Sequence, residues 1–185
     1  LAATLGSDVP LFLARGPVLI EGRGERVSPL AGITGDGPGV LLVTPAVPVS
    51  TGDVFAIVAA VGRPSGSTRL SSEHLAQELR SGLASTGLVA RAGVLASAND
   101  LLGASAVLVP ALTPFRRTLM RRLGRPVGQS GSGPTLWALY PSQAQAQAAA
   151  DELDRAVDSG ELTAVGDGRP FITATTIAPT ERRNP

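Results

Sequence analysis

The sequence feature that most constrains the fold is an uninterrupted apolar run, Val-Leu-Leu-Val, at residues 40–43 between Gly39 and Thr44-Pro45. Consecutive apolar residues that end near a proline are typical of a strand buried on both faces, because such a strand has no solvent-facing side. The rest of the chain must therefore supply layers that cover both sides of it. Aromatic residues make up 3% of the chain and apolar residues 43%, so we expect a core of Val, Leu, Ile and Ala.

The segments after this strand predict the order helix, strand, strand, helix, strand. Residues 127–129 and 135–139 predict two paired strands, and residues 171–177 predict a final β-branched strand. We interpret this order as a ferredoxin-like split βαβ arrangement, an α+β fold, with extra helices inserted between residues 50 and 105. The apolar positions assigned to the helix faces are Val54, Ile57, Val58 and Val61; Leu75, Leu79 and Leu83; Leu112, Phe115, Leu119 and Leu123; and Ala146, Ala149, Leu153 and Ala156.

The predicted helix ends depend on capping residues and glycines. Ser50 is expected to cap the first helix, since a serine hydroxyl can accept a hydrogen bond from a free N–H there. Ser142 and Gln145 have the spacing of a capping box for the last helix. Gly87 and Gly124 are expected to end two other helices, because glycine adopts left-handed geometry at little cost.

The first part of the chain predicts a different unit. Residues 11–30 contain short apolar runs separated by glycine-containing turns, which predict a β-meander. A Gly/Pro-rich loop at residues 31–39 is the predicted domain seam. We therefore expect residues 1–36 to end one domain, residues 37–179 to form a second and residues 180–185 to be a frayed tail. Because the chain begins with Leu, we expect it to be a piece of a longer protein.

Composition excludes several classes of function. The net charge is +1 and the basic residues are dispersed, so no footprint for nucleic acid is present. The arginine pairs at 116–117 and 121–122 are interpreted as the solvated face of a helix. With no cysteine and one histidine, the chain has no disulfide framework and no metal site based on those residues. No apolar run of about 18 residues and no export signal is found, so we expect a cytoplasmic protein.

The hexamer Leu-Gly-Ser-Asp-Val-Pro at residues 5–10 places Asp8 at a predicted sharp turn before a strand. Pro10 biases Val9 toward extended geometry, and Gly6 permits unusual dihedral angles. A carboxylate held on such a turn can project into a cleft, where it suits a base or an electrostatic anchor for proton transfer. An ordinary turn or cap residue fits the same pattern, so the hexamer alone leaves both interpretations open.

Three further stretches follow this hexamer in order: Gly-Arg-Gly-Glu at 22–25, Asn-Asp-Leu at 99–101 and Gln-Ser-Gly-Ser-Gly-Pro-Thr at 129–135. Together the four stretches resemble the C-terminal half of the 4-diphosphocytidyl-2-C-methyl-D-erythritol kinases. That family lies within the galactokinase, homoserine kinase, mevalonate kinase and phosphomevalonate kinase (GHMP) superfamily. The resemblance extends from Leu5 to about Ile177 and depends on the order and spacing of the motifs together.

The resemblance implies an ATP-dependent kinase of isoprenoid biosynthesis that phosphorylates the 2-hydroxyl of the cytidyl substrate, with Mg²⁺ as the counter-ion of ATP. Asp8 is then the implied catalytic residue, which orients the hydroxyl or accepts its proton. Phe55 is the implied stacking partner of the cytosine ring, and Thr51 is expected to approach an anionic group. The other implied contacts are Gly22, Arg23 and Gly24 on the cytidine side, and Ser130, Gly131, Ser132 and Gly133 beside the nucleotide phosphates or their loop.

The resemblance also divides the chain. Residues 1–36 are implied to end a ribosomal protein S5-like first kinase domain, and residues 37–179 to form the GHMP kinase C-terminal domain. We find neither the family's glycine-rich phosphate loop nor any lysine in the chain, so the N-terminal half is expected in cis or as a separate chain. We expect this chain to be inactive alone. The alternatives are a non-catalytic ferredoxin-like binding module and another GHMP small-molecule kinase.

Each motif also has a purely structural interpretation. The two glycine-rich stretches fit hairpin turns, and Phe55 fits an ordinary core aromatic, although it falls off the stripe that begins at Val54. For Asn99 and Asp100 we favour a helix cap over a polar cluster at the site. We expect His74 to be a surface residue rather than a ligand.

Overall fold

The structure, a computed structural model, describes residue 6 and residues 9–13, 16–22, 24–61, 74 and 76–178. A short 3₁₀ helix covers Val9–Leu13, and residues 76–81 are helical. In the described part of the chain, no helix is long and apolar enough to cross a membrane. The strands are β1 (Val18–Glu21), β2 (Arg26–Pro29), β3 (Ile33–Thr34), β4 (Gly39–Thr44), β5 (Leu83–Ala84), β6 (Gly128–Gln129), β7 (Leu136–Tyr140) and β8 (Phe171–Thr176). The other helices are α1 (Thr51–Val61), α2 (Ser85–Ala90), α3 (Ala92–Ser97), α4 (Leu102–Leu108), α5 (Leu112–Leu123) and α6 (Gln143–Asp158).

Four strands form the central sheet in the order β6-β7-β4-β8, and each neighbouring pair is antiparallel. Leu41 of β4 stands opposite Ala138 of β7 on one side and Ala174 of β8 on the other. The four strands predicted from the sequence are confirmed as elements of this sheet. Two smaller pairs complete the β structure: β1 with β2 antiparallel, and β3 with β5 parallel.

Both faces of β4 are covered by apolar residues, as its sequence predicts. Leu41 and Val43 share one buried cluster with Leu119 of α5 and Leu153 of α6. Val40, whose side chain points the other way, packs against a second cluster. Full burial of one such aliphatic side chain contributes about 1.5–3 kcal/mol, so the two layers fix the sheet between them. The second cluster consists of Ile33, Leu83, Leu88, Ala92 and Leu139.

Helix α1 begins at its predicted cap but buries a shorter apolar face than predicted. The hydroxyl of Ser50 accepts a hydrogen bond from the backbone N–H of Asp53 at 3.3 Å. Val54 is fully buried, and the next two apolar positions are half-buried. Val61 is 82% exposed, so its assignment to the apolar face is wrong. The helix packs against α4, and no described residue covers its last turn.

The strand predicted at residues 11–13 is wrong. Val9–Leu13 forms a 3₁₀ helix, on which Phe12 and Leu13 are exposed. Pro10 has no N–H for a strand ladder and has a fixed φ, which suits a helical turn. The backbone N–H of Val9 donates to the carbonyl of Gly6 at 3.2 Å, as in a turn. The hairpin of β1 and β2 is therefore the part of the meander that the structure confirms.

The helix predicted to continue through Leu83 to Gly87 ends earlier. Gly82 has a φ of +86°, and its N–H donates to the carbonyl of Leu79 at 3.3 Å. A left-handed glycine at this position stops the helix. Leu83 then enters β5, and Gly87 lies inside α2. Leu75, the first residue of the predicted stripe, lies outside the described residues.

The ends of the last two helices agree with the sequence. Gly124 has a φ of +59° and follows the last residue of α5. The hydroxyl of Ser142 accepts the N–H of Gln145 at 3.3 Å, which caps α6. The predicted inner face of α6 is buried, with Leu153 at 0% exposure. Local capping signals were therefore sufficient to place these two helices.

The arginine pairs of α5 are only partly a solvated face. Arg117 and Arg121 are exposed, whereas Arg116 and Arg122 are half-buried. The guanidinium of Arg116 donates to the carbonyl of Val127 at 2.5 Å, and burial lowers its pKa. Arg116 therefore attaches the helix to the start of β6, a structural role that the sequence interpretation missed.

Candidate functional site

Two of the predicted site residues, Asp8 and Arg23, lie outside the described residues, and their roles stay predictions. The described ones fall in three places. These are the turn between β1 and β2, the start of α1, and the loop between β6 and β7. The last of these, residues 130–133, is called the glycine-serine loop below.

The glycine-serine loop is a tight hairpin connection, as one interpretation of its sequence predicts. The N–H of Ser130 donates to the carbonyl of Thr135 at 2.9 Å, and the N–H of Gly133 donates to that of Ser130 at 2.8 Å. Gly131 and Gly133 have φ values of +50° and +85°. These angles lie in the left-handed region, where a side chain is strained. The turn itself therefore requires both glycines.

Carbonyl groups of this loop accept hydrogen bonds from side chains of other elements. The amide nitrogen of Asn99 donates to the carbonyl of Gln129 at 3.0 Å and to that of Gly131 at 2.8 Å. The hydroxyl of Ser105 on α4 lies 2.8 Å from the carbonyl of Ser132 and donates to it. The acceptors of the loop are thus turned toward the protein.

The donors of the loop are oriented differently. Within the described part of the chain, the backbone N–H groups of Gly131 and Ser132 donate to no acceptor. Gly131 is exposed and Ser132 is half-exposed. Two adjacent amides that lack internal acceptors can bind an anion, since successive N–H groups form a concave, positively polarised surface.

A buried side chain lies beneath the loop. Gln129 is 5% exposed, and its amide nitrogen donates to the carbonyl of Gly131 at 3.2 Å and to the hydroxyl of Ser105 at 2.9 Å. Ser105 is 0% exposed, and its hydroxyl also lies 2.9 Å from the carbonyl of Leu101. Because buried polar groups need partners, this network fixes the conformation of the loop above it.

The start of α1 contacts the glycine-serine loop directly. The hydroxyl oxygens of Thr51 and Ser132 are 2.9 Å apart and share a hydrogen bond. These residues were predicted to serve different parts of the site, and the structure brings them together. Asp53 in the same first turn carries a negative charge at the helix start. The approach of Thr51 to an anionic group stays a prediction.

Phe55 lies one turn after Thr51, and residues spaced i and i+4 share a helix face. Its side chain is 55% exposed, whereas Val54 is fully buried. The core-aromatic interpretation is therefore wrong, and the predicted position off the buried stripe is confirmed. An exposed ring at the start of a helix is available for stacking, which stays a prediction.

The turn between β1 and β2 is held locally. Gly22 and Gly24 have φ values of +71° and +100°, and the N–H of Gly24 lies 3.4 Å from the carbonyl of Glu21. A Cβ at Gly22 would meet the carboxylate of Glu25. No hydrogen bond described by the structure joins Gly22 or Gly24 to α1 or to the glycine-serine loop. The role of Gly22 and Gly24 on the cytidine side therefore stays a prediction.

Three residues of this region were missed or underrated in the sequence. The cap predicted at Asn99 is wrong: Leu101 precedes α4 without a side-chain cap, and the side-chain oxygen of Asn99 accepts the N–H of Leu101 at 2.9 Å in a local turn. Its contact with the loop was not predicted. Ser105 was not singled out, and Gln129 was quoted only as the first residue of the stretch 129–135, with no role assigned. The available signal was a lone serine in the apolar helix Leu-Gly-Ala-Ser-Ala-Val-Leu and a glutamine ending a buried strand.

A cavity of about 520 Å³ lies elsewhere, beside the helical segment 76–81. Its lining includes His74, Glu78 and Arg91, and none of the predicted site residues that the structure describes. His74 is exposed, as predicted. The hydrogen bond from Arg91 holds the pKa of Glu78 below its usual value.

The family model and the similar proteins found by comparison all indicate the same family of kinases. The description "GHMP kinases C terminal" matches residues 75–159. The chain is 36% identical over 155 residues to the 4-diphosphocytidyl-2-C-methyl-D-erythritol kinase of Deinococcus radiodurans. The aligned region covers 83% of this chain and 46% of that protein. The enzyme of the same name from Rhodopseudomonas palustris is 36% identical over 161 residues, covering 82% of this chain and 50% of that protein. The chain spans about half the length of the curated relatives it matches.

Solved structures agree. A crystal structure of 4-(cytidine 5'-diphospho)-2C-methyl-D-erythritol kinase matches with a TM-score of 0.58 and 26% identity, over 95% of this chain and 56% of that one. Homoserine kinase from Cytophaga hutchinsonii matches with a TM-score of 0.55 and 19% identity, over 91% of this chain and 53% of that one. The second likeness shows the fold alone.

Proposed function

We propose, on the premise that this chain carries a GHMP kinase C-terminal domain, that it is the C-terminal part of a 4-diphosphocytidyl-2-C-methyl-D-erythritol kinase. The reaction proposed is ATP-dependent phosphorylation of the 2-hydroxyl of that substrate in isoprenoid biosynthesis. Relatives of this name match over 78% or more of the chain, which supports this enzyme above other GHMP kinases. We place the kinase in the cytoplasm.

The proposed fold of the second domain is the ferredoxin-like split βαβ arrangement. The sheet order β6-β7-β4-β8 supports it, because the first strand in sequence lies between the third and fourth. The proposed boundary at residue 36 is supported by the local pairing of β1 with β2. Ile33–Thr34, just before that boundary, pairs with Leu83–Ala84 and would join the two domains.

The observation that carries the proposal is the contact between Thr51 and Ser132. It joins the helix that bears the exposed ring of Phe55 to the loop in which two amides, those of Gly131 and Ser132, donate to no acceptor among the described residues. A site that must bind a cytosine ring and nucleotide phosphates needs both features close together. Stacking on an aromatic ring contributes about 1–3 kcal/mol per base. Gly22, Arg23 and Gly24 are proposed to line the cytidine side.

In the proposed mechanism, the substrate hydroxyl attacks the terminal phosphorus of ATP, and the bond to the leaving ADP breaks. Asp8 orients that hydroxyl or accepts its proton. The amides of Gly131 and Ser132 fit the oxygens of a phosphate, which they would bind together with Ser130 and Gly133. The described residues include no group of three His, Asp or Glu side chains for a metal, so Mg²⁺ is proposed to arrive with the nucleotide.

The proposal is tested with the complete protein, prepared with whatever sequence precedes this chain. A glycine-rich phosphate loop is expected about 40–60 residues before Asp8. The complete protein should form ADP with the cytidyl substrate and not with homoserine or mevalonate, and this chain alone should form none. Asp8→Asn should lower turnover at least about 100-fold with nucleotide affinity little changed.

Three outcomes would count against it. Unchanged turnover in Asp8→Asn would remove the catalytic assignment of that residue. Transfer to another alcohol would favour a different GHMP small-molecule kinase. Binding of the cytidyl compound without ADP formation would favour the non-catalytic ferredoxin-like module.

A further inference from the structure

We infer that Asn99, Ser105 and Gln129 are positioning residues, which hold the carbonyls of Gly131 and Ser132 inward so that the N–H of Ser132, beside that of Gly131, faces an anion. The inference rests on the proposed function for the identity of that anion, a nucleotide phosphate. The orientation of the loop peptides is argued from the hydrogen bonds alone. This part of the inference can therefore be tested independently of the kinase assignment.

The first step of the argument is the orientation of each peptide. A peptide has its N–H and C=O on opposite sides, so fixing the carbonyl fixes the direction of the next residue's N–H. Asn99 fixes the carbonyl of Gly131, and with it the N–H of Ser132. Its bond to the carbonyl of Gln129 fixes the N–H of Ser130, which donates to Thr135. One amide group thus sets two peptides of the loop.

The second step concerns Ser105. Its hydroxyl has one proton but two carbonyls within reach, those of Leu101 at 2.9 Å and Ser132 at 2.8 Å. It accepts the amide of Gln129 at the same time. The hydroxyl proton is therefore shared between two hydrogen bonds, one to the carbonyl of Leu101 at the start of α4 and one to the carbonyl of Ser132 in the loop. Without the hydroxyl, both the carbonyl of Ser132 and the buried amide of Gln129 lose a partner.

The third step distinguishes the contacts of Asn99 with the loop from its local contact with the N–H of Leu101. The side-chain oxygen of Asn99 accepts the N–H of Leu101, and its nitrogen binds the loop. A serine at this position can still accept that N–H, because its hydroxyl supports the same kind of local turn. It cannot reach the loop as the longer amide does. Asn99→Ser therefore removes the loop contacts without adding charge, whereas Asn99→Ala removes both.

The experiment uses the ¹⁵N-labelled chain and inorganic phosphate as the probe, with chloride at equal ionic strength as reference. In the wild type, the amide signals of Gly131 and Ser132 should shift saturably with phosphate. Asn99→Ser, Asn99→Ala and Ser105→Ala should each weaken that response at least about fivefold, the effect of losing roughly one hydrogen bond. Ser97→Ala, which removes an exposed hydroxyl bonded to Val94 at 2.9 Å, is the matched control.

The phosphate response should weaken equally in Asn99→Ser and Asn99→Ala although the two variants differ in unfolding free energy. That result supports a role of Asn99 in positioning the loop over a role in stabilising the fold. The inference is overturned if the wild-type amides ignore phosphate, if Asn99→Ser responds like the wild type, or if the response follows stability across the variants. In the complete protein, Asn99→Ser should raise KM for ATP at least about fivefold and leave KM for the cytidyl substrate within about twofold. A complete protein without phosphoryl transfer would contradict the proposed function, while the phosphate response would still decide this inference.

Discussion

The two glycine-rich hairpin turns of this chain, at residues 22–25 and in the glycine-serine loop, have similar sequences but different supports. In the first, the backbone bond described is local, from Gly24 to Glu21. In the second, side chains from 27 to 81 residues away bind the loop. Both turns need left-handed glycines. Glycine thus makes a turn possible, whereas distant polar side chains determine which of its groups face solvent.

The largest effect should come from Gly133→Ala. Its φ is +85°, and an added Cβ would lie 3.1 Å from the side-chain carbon of buried Gln129. Strain and displacement of that side chain together should cost about 2–3 kcal/mol of unfolding free energy. Urea denaturation of the chain measures this. Gly131→Ala is the matched control, since its Cβ meets nothing within 4 Å, and it should cost about 1 kcal/mol. Equal costs would show that Gln129 does not support the loop.

Ser105→Ala should have the next largest effect, about 1–2 kcal/mol, because it leaves buried polar groups short of a partner. Hydrogen exchange of the amides in the glycine-serine loop should accelerate in parallel. Ser97→Ala, one helix earlier and exposed, should stay within about 0.5 kcal/mol. If both serines cost the same, the distinction between distant and local support is wrong.

Gly22→Ala tests the locally held turn. An alanine at a φ of +71° should cost about 1 kcal/mol through backbone strain. Hydrogen exchange in the glycine-serine loop should be unchanged. Faster exchange there would reveal coupling between the two turns and weaken the comparison.

The smallest loss of stability is expected from removing the ion pair between Glu78 and Arg91, whose side chains are partly exposed. It serves as a comparison for the buried, neutral hydrogen bonds of Ser105 and Gln129. The bond from Arg91 lowers the pKa of Glu78, so the folded state binds the proton of that carboxyl less readily than the unfolded state. The stabilisation is therefore present above the usual pKa of glutamate and is lost as pH falls through the lowered value. Glu78→Gln should destabilise less than Ser105→Ala at neutral pH. The difference from wild type should vanish in acid and shrink in high salt, since exposed pairs are screened.

Sequence patterns predicted the regular elements well where one local rule applied. The apolar run within Gly39–Thr44, the caps at Ser50 and Ser142, and the stop at Gly124 are all short-range signals. The wrong predictions at residues 11–13 and at Gly87 arose where a competing local signal, Pro10 or Gly82, determined the outcome.

The candidate site was predicted less completely than the fold. Thr51 and the glycine-serine loop were proposed, but their mutual contact joins residues 81 positions apart. Ser105 lies in no motif and Gln129 had no role within its own, because a buried hydroxyl or amide becomes informative only once its partners are known. Long-range pairing of single polar side chains has no periodic signal in one sequence. The motifs therefore predicted candidate residues but not the contacts between them.

The central strand β4 has a consequence for biosynthesis. Its two neighbours, β7 and β8, follow it by roughly 95 and 130 residues in the chain, as the pairs Leu41–Ala138 and Leu41–Ala174 illustrate. Such high contact order slows folding, since the long intervening segment must close before any ladder forms. During translation, Gly39–Thr44 leaves the ribosome long before its partners exist. The fraction of nascent chain that avoids aggregation would then depend on protection of this aliphatic segment. A chaperone could shield it, or the segments that cover it could pack against it early.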